Sequence, residues 1–178
     1  MKASALTNRL RELDLFENEL RDAGAIALAE GVRHATHMER LWLGRNGIGA
    51  EGGSAIAGAV GLPHLSLRFL SLRDNRIGTA GCAAFARALC VAGPVLDTLD
   101  LSANELDDSA LGELVAMLRV SVSLTELNCT RNAVFGAAAV GSLAETLGLN
   151  PIMKTLLLDD DVVKAAKERC PHLDRRIV

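Results

Sequence analysis

Three short stretches of the sequence carry residue types that bind ions or phosphates in proteins. His34 and His37 are three residues apart and could share one helix face as metal ligands. The glycine-rich segment 47–53 is similar to a phosphate-binding loop, and the acidic run 159–161 could bind a cation. The segment lacks the Lys-Ser/Thr ending of such a loop, and the run lacks EF-hand spacing. We therefore predict solvated side chains and ordinary turns at these places, with no metal site.

The nucleophilic side chains form no recognisable catalytic group. The sequence has no nucleophile elbow and no partners that would complete a triad with a histidine. The one acidic pair that an enzyme could use is Glu12 with Asp14. Four cysteines lie far apart with no C-x-x-C pair, which predicts reduced thiols: Cys82, Cys90, Cys129 and Cys170. We predict that the chain is not an enzyme and needs no cofactor.

The composition narrows the classes of partner. The 178 residues carry 19 basic and 22 acidic side chains, a net charge of -3 that gives no basic footprint for nucleic acid or an anionic membrane. Hydrophobic residues at 49% and charged residues at 23% are typical of soluble globular chains. No stretch reaches 18 uncharged apolar residues, and no secretory signal is visible. We expect an intracellular, cytoplasmic protein.

The elements that must position any site repeat along the chain. The pattern L-x-x-L-x-L-x-x-N-x-L occurs six times with conservative replacements, and its ninth positions are 28 or 29 residues apart. Between copies, apolar residues such as Phe85 and Leu89 recur four apart, as on one buried helix face. Each repeat is therefore predicted to be a strand, a turn, a helix and a second turn.

This pattern resembles the leucine-rich repeat family, in the long subclass typified by ribonuclease inhibitor. The resemblance covers residues 10–163 and implies an α/β fold, a right-handed β/α solenoid bent into a horseshoe, with protein recognition as its usual task. Because parallel strands lie about 4.8 Å apart and helices about 8 to 10 Å apart, the sheet must line the concave side and the helices the convex side. We expect a lead-in over 1–9 without a recognisable cap, an array over 10–163 whose last copy is truncated, and a closing helix or tail over 164–178.

The ninth position of the pattern has a structural explanation. A turn that leaves a sheet exposes backbone N–H and C=O groups, and an amide side chain can pair with both kinds. Stacked copies are predicted to form an asparagine ladder: Asn18, Asn46, Asn75, Asn104, Asn132 and Asp161. Asp161 departs from the pattern because a carboxylate only accepts hydrogen bonds, and it falls in the last copy.

The positions between the pattern leucines indicate a binding surface, because side chains alternate across a strand. The candidate residues for the concave face are Phe16, Arg40, Trp42, Arg45, Phe69, Arg73, Asp100 and Asn128. Three aromatic side chains form a diagonal stripe beside the arginines, and binding hot spots are rich in both types. The alternative is that the arginines only form cross-strand ion pairs, Arg40 with Glu12 and Arg45 with Glu17 and Asp74. Both interpretations can hold together.

These observations favour a non-catalytic protein–protein interaction module that binds a partner protein through the concave face. The alternative is a structural subunit or fragment packed permanently in a larger multiprotein assembly. The absence of a recognisable N-terminal cap favours that alternative, because solenoids need covered ends. No nucleic acid or membrane partner is expected.

Overall fold

The computed structural model describes residues 9–90, 93, 95–133, 135–169 and 176–178. Within these residues, six short strands alternate with six α-helices. In chain order they are β1 Glu12–Asp14, α1 Arg21–Val32, β2 Arg40–Trp42, α2 Ala50–Val60, β3 Phe69–Ser71, α3 Gly78–Leu89, β4 Thr98–Asp100, α4 Asp108–Leu118, β5 Glu126–Asn128, α5 Ala137–Leu149, β6 Thr155–Leu157 and α6 Asp160–Arg169.

The strands form one parallel sheet in sequence order, β1-β2-β3-β4-β5-β6. Each strand pairs with the next at the repeat period, so the same pattern position always faces itself. The central leucines are aligned across the whole sheet: Leu13, Leu41, Leu70, Leu99, Leu127 and Leu156. One strand and one helix per repeat, all in phase, confirm the predicted β/α solenoid.

The core lies between the sheet and the helices. In the third repeat Leu70, Leu72 and Phe85 are completely buried, and the other internal repeats bury the same positions. Small residues let the helices pack closely. A Cβ added to Gly52 of α2 would lie 2.9 Å from the Cβ of Ala25 in α1, closer than side chains normally approach. This close packing fixes the position of each helix behind its strand.

The turns that leave β1 to β5 each contain a left-handed residue directly before the ladder asparagine. Five repeats share this conformation at non-glycine residues, with φ between 52° and 60°: Glu17, Arg45, Asp74, Ala103 and Arg131. A Cβ clashes with the backbone in this region at a cost of about 1 to 2 kcal/mol per residue. The surrounding repeats therefore hold these turns in a conformation that the residues themselves disfavour.

We expect Ala103→Gly to raise the free energy of unfolding by about 0.5 kcal/mol. Glycine relieves the clash at φ 52°, and the greater freedom of the unfolded chain offsets part of that gain. The same change at Ala116, exposed on α4, should lower stability by about 0.5 to 1 kcal/mol. Urea denaturation measures both variants. Equal losses at the two positions would contradict a strained turn.

The two ends of the sheet differ. Beyond β6, Leu156 N donates to Arg176 O at 2.7 Å and Val178 N donates to Leu156 O at 3.0 Å, so residues 176–178 pair with the outer edge of the last strand. Ile177 is completely buried there. At the other end, Leu13 and Leu15 of the first repeat are only partly buried. The first repeat thus leaves apolar surface exposed that later repeats cover.

One helix spans the predicted boundary between the array and the tail. Helix α6 begins at Asp160, which is inside the last predicted repeat copy and before the expected tail over 164–178. The lead-in, apart from its last residue, and segment 170–175 with Cys170 lie outside the described residues. The division into lead-in, array and tail stays a prediction.

Candidate functional site

The amide side chains at the ninth pattern position connect consecutive repeats. Asn75 Oδ1 accepts hydrogen bonds from the backbone N–H groups of Asn46 and Ile48, at 3.0 and 2.9 Å. Its Nδ2 donates to the carbonyl oxygens of Leu43 and Leu72, at 2.9 and 2.7 Å. Side-chain bonds to the neighbouring repeats recur at three further positions: Asn46, Asn104 and Asn132. These bonds fix the turns that follow the strands.

Asn18 is the outermost rung of the ladder and is exposed. Its backbone N–H donates to Asn46 Oδ1 at 3.1 Å. Among the described residues, its side chain donates only to Phe16 O, within its own turn, at 3.0 Å. In this part of the chain the Asn18 side chain therefore connects no repeats, in contrast to the buried rungs.

Asp161 differs from its predicted place in the ladder. It is exposed in the first turn of α6, and among the described residues its carboxylate accepts only from the Val162 N–H, at 2.9 Å. Because a carboxylate cannot donate to the strand carbonyls, it cannot reproduce an asparagine rung. Asp159 instead accepts from the Arg131 N–H at 2.9 Å and connects the fifth repeat to the sixth.

Trp42 and Phe69 form an aromatic pair on the concave face. The register places Arg40 opposite Phe69 and Trp42 opposite Ser71, so the two rings lie diagonally across β2 and β3. Their centroids are 5.3 Å apart with the planes tilted by 43°, within the range of favourable aromatic contacts. Both side chains are half-buried. The pair is therefore fixed in place while part of each ring remains accessible.

Phe16 extends the stripe onto the first repeat. The side chain is 43% exposed and lies over Gly44, where an added Cβ would be 2.8 Å from Phe16 Cδ2. The guanidinium carbon of Arg45 is 5.8 Å from the ring centroid, within cation–π range. The described contacts thus join Phe16 to Arg45, and Trp42 to Phe69, as two adjacent parts of one surface.

The ion pairs of the alternative interpretation are confirmed. Arg40 lies 3.8 Å from Glu12, and Arg45 lies 3.0 Å from Asp74 and 3.7 Å from Glu17. The hydrogen bond that Arg45 donates to Asp74, with a further contribution from the negative charge of Glu17, raises the pKa of Arg45 above its ordinary value. Because these side chains are largely exposed, with Asp74 partly so, the pairs contribute little to stability. Arg45 lies over the Phe16 ring, while part of the Trp42 and Phe69 rings remains accessible.

Asp100 and Asn128 are engaged in local hydrogen bonds on the fourth and fifth strands. Asp100 accepts from Ser71 Oγ at 3.3 Å and from the Ser102 N–H at 3.0 Å. Asn128 Oδ1 accepts from the N–H and the hydroxyl of Thr130, at 3.0 and 2.9 Å. The concave face is therefore aromatic and arginine-rich over β1–β3 and polar over β4–β5. Arg73 is exposed beside the aromatic part, and its guanidinium pairs with no acid in the described ranges.

A groove at the turns after the strands was not predicted. We call it the loop groove; it has a volume of about 690 Å³ and is lined by Arg45, Asp74, Arg76, Ala103, Glu105 and Arg131, among others. Arg76 follows a ladder asparagine and belongs to no strand, so strand alternation could not identify it. The repeat pattern gave only part of the signal, because Arg45 and Arg131 occupy the same turn position of two repeats whereas Arg76 does not.

The cysteines and the possible metal ligands are the remaining side chains that could do chemistry. Cys82, Cys90 and Cys129 are free thiols, as predicted. Burial raises the pKa of Cys82 to about 12 and that of Cys129 well above its ordinary value, so neither is a nucleophile at neutral pH. Within the described ranges, no three His, Cys, Asp or Glu side chains are grouped to hold a metal ion. No helix there is long and apolar enough to cross a bilayer.

Comparisons with known proteins agree with this architecture. The sequence model of the family described as "Leucine Rich repeat" matches residues 9–29, 34–57 and 64–86. NACHT, LRR and PYD domains-containing protein 12 of Homo sapiens is 34% identical over 131 residues, which are 73% of this chain and 12% of that protein. Ribonuclease inhibitor of Sus scrofa is 32% identical over 152 residues, which are 84% of this chain and 33% of that protein. The chain thus spans about an eighth to a third of the length of these relatives.

A solved structure shows the same fold at lower identity. The actin-binding site 2 of leiomodin-1 superposes with a TM-score of 0.69 at 18% identity, over 79% of this chain and 86% of that one. The fold and the repeated asparagine turns define a leucine-rich repeat solenoid. The chain belongs to the ribonuclease-inhibitor-like class of this family, whose repeats have 28 or 29 residues.

Proposed function

We propose that the chain is a non-catalytic protein-binding module that holds a partner on the concave face of its sheet. The observation that carries the proposal is the Trp42–Phe69 pair, with centroids 5.3 Å apart and both rings half-exposed. Arg40 lies opposite Phe69 in the strand register. Tryptophan and arginine on a rigid, partly desolvated surface are the residue types that dominate binding hot spots.

The rigidity of the surface favours binding. The ladder asparagines satisfy the turns at the ends of the strands, and the aromatic rings already contact each other. A partner therefore meets a surface that needs little ordering, which reduces the entropic cost of association. Among the relatives, ribonuclease inhibitor is named for a target that is itself a protein, in agreement with a protein partner here.

The ion pairs around the aromatic surface have a second role in this proposal. Arg40 is 3.8 Å from Glu12, a loose contact between two exposed side chains. Such a pair can exchange its partner for an acidic group on an incoming protein at little cost. Charges at the rim of an interface act mainly on the association rate and the choice of partner. We assign affinity to the rings and selectivity to the arginines.

A second candidate function is a structural subunit covered at the first repeat. Leu10 and Ile26 are 45% and 42% exposed, and Leu13 and Leu15 are only partly buried. Apolar surface of this kind at the end of a solenoid is a contact site for another protein. In that case the partner would cover β1 and α1 and leave Trp42 free.

Site-specific photo-crosslinking distinguishes the two candidates. A benzophenone amino acid is placed at Thr98 on the concave face, at Ile26 on α1, or at Arg87 on the outer surface of α3. We expect one protein to crosslink from native lysate through position 98 and not through 87. A single adduct through position 26 alone would replace the proposal with the subunit candidate. Equal yields of the same adducts at all three positions would contradict both.

A further inference from the structure

We propose that the loop groove binds an acidic segment of the protein partner, in extended form, through Arg76 and Arg131. The inference rests on the proposed function, because the segment belongs to the protein that covers the concave face. It goes beyond that function by assigning a second contact area and the chemistry of what fills it.

The groove crosses several repeats and is continuous with a second depression. Its arginines come from the second, third and fifth repeats: Arg45, Arg76 and Arg131. An adjoining depression of about 460 Å³ shares Arg45, Gly47 and Arg76 with it and adds Arg21 and Glu19 of the first repeat. Four arginines therefore line one path along the turns that leave the sheet.

Two arginines of this path pair with acidic side chains of the chain, and the other two do not pair with an acid among the described residues. Arg45 is held by Asp74 at 3.0 Å, and Arg21 lies 3.7 Å from Glu19. Arg76 and Arg131 form no ion pair with any residue in the described part of the chain, although both line the same groove. Glu105 is the acidic lining residue that remains to oppose them. The groove lining therefore holds three arginines against two acids, and two of those arginines have no acidic partner among the described residues.

Three acidic side chains of the later turns accept hydrogen bonds from backbone or hydroxyl donors, and among the described residues they form no ion pair with the groove arginines. Asp107 accepts from the Ala110 N–H at 2.9 Å and from Thr79 Oγ1 at 2.8 Å. Asp108 accepts from the Gly136 N–H at 2.7 Å. Asp159 accepts from the Arg131 N–H at 2.9 Å, which leaves the Arg131 guanidinium available. The carboxylates of the turns thus hold backbone donors in place.

The geometry selects an extended peptide with spaced acidic residues. Arg45 and Arg131 sit in the left-handed turns, with φ of 54° and 60°, and the ladder fixes those turns. Adjacent strands are about 4.8 Å apart, and an extended chain rises about 3.3 Å per residue. Glu or Asp residues two to three positions apart would therefore meet successive arginines. A guanidinium binds a carboxylate through two parallel hydrogen bonds, which gives the contact its direction.

Fluorescence anisotropy with a defined probe tests the proposal. The probe is a fluorescein-labelled peptide of six Ser-Glu pairs at about 50 mM salt, where exposed charges are weakly screened. We expect it to bind at least fivefold more tightly than the matching Ser-Lys peptide. The double variant Arg76→Glu/Arg131→Glu should weaken binding at least tenfold. Arg87→Glu/Lys164→Glu makes the same charge change at exposed helix positions and should stay within twofold of the unmodified protein.

Three results would overturn the assignment. One is an equal loss in the control double variant, and another is tighter binding of a twelve-residue oligothymidine than of the Ser-Glu peptide. The third is a loss of peptide affinity in Trp42→Ala as large as the loss in the double arginine variant, since the Trp42 ring lies on the sheet and outside the groove. The peptide experiment does not use the natural partner. A negative result with the peptide therefore leaves the crosslinking test of the concave face unaffected.

Discussion

Replacing Asn75 with alanine is expected to lower the free energy of unfolding by about 3 kcal/mol. The Asn75 side chain accepts hydrogen bonds from the buried N–H groups of Asn46 and Ile48, at 3.0 and 2.9 Å. Its removal leaves both donors unpaired in the interior, at about 1 to 3 kcal/mol for each group. Urea denaturation followed by circular dichroism measures the change, and the slope against urea tests whether unfolding stays cooperative.

Asn18→Ala is the matched control, because it removes the same side chain from the same pattern position. Asn18 is exposed, and the hydrogen bond that its side chain makes with the described residues lies within its own turn. We expect a loss below about 1 kcal/mol, as for an exposed hydrogen bond. Similar losses for the two variants would mean that the asparagines act through their own turns, and the ladder would have no role in joining repeats.

The fold was predictable because its determinants are periodic. The repeat period alone sets which residues pair across the sheet, and the leucines at positions 13, 41 and 70 are aligned as the pattern requires. The concave ion pairs were predictable for the same reason, since one repeat places Arg40 beside Glu12. Any feature that depends only on a residue's position in the repeat could be predicted from the repeat spacing.

Features that depend on a departure from the period could not be obtained in this way. Asp161 has the right spacing for a rung, yet α6 begins one residue before it, whereas α2 begins four residues after Asn46. The left-handed residues that precede the ladder asparagines are not glycines, so the sequence does not indicate their conformation. The loop groove joins side chains such as Arg76 and Arg131 from different turn positions of separate repeats. Their proximity arises from side-chain reach, which a linear pattern does not encode.

The difference between stability and recognition follows from the same geometry. The internal ladder asparagines and the leucines face inward, where the internal repeats use the same residue types. The concave positions face outward and change from repeat to repeat, from Trp42 and Phe69 to Asp100 and Asn128. A periodic interior thus supports an aperiodic surface, and it is the aperiodic residues that can distinguish one partner from another.

Trp42→Ala is expected to weaken binding of the protein captured through position 98 by about 2 kcal/mol, or roughly 30-fold. The change removes the larger ring of the aromatic pair and leaves Phe69 without its contact at 5.3 Å. Titration calorimetry gives the affinity, and a melting curve verifies that the variant stays folded. Leu149→Ala is the control: that side chain is 86% exposed at the end of α5, so its loss should leave affinity unchanged. Equal affinities for Trp42→Ala and the unmodified protein would place the interface away from the aromatic pair, because a central anchor cannot be removed without cost.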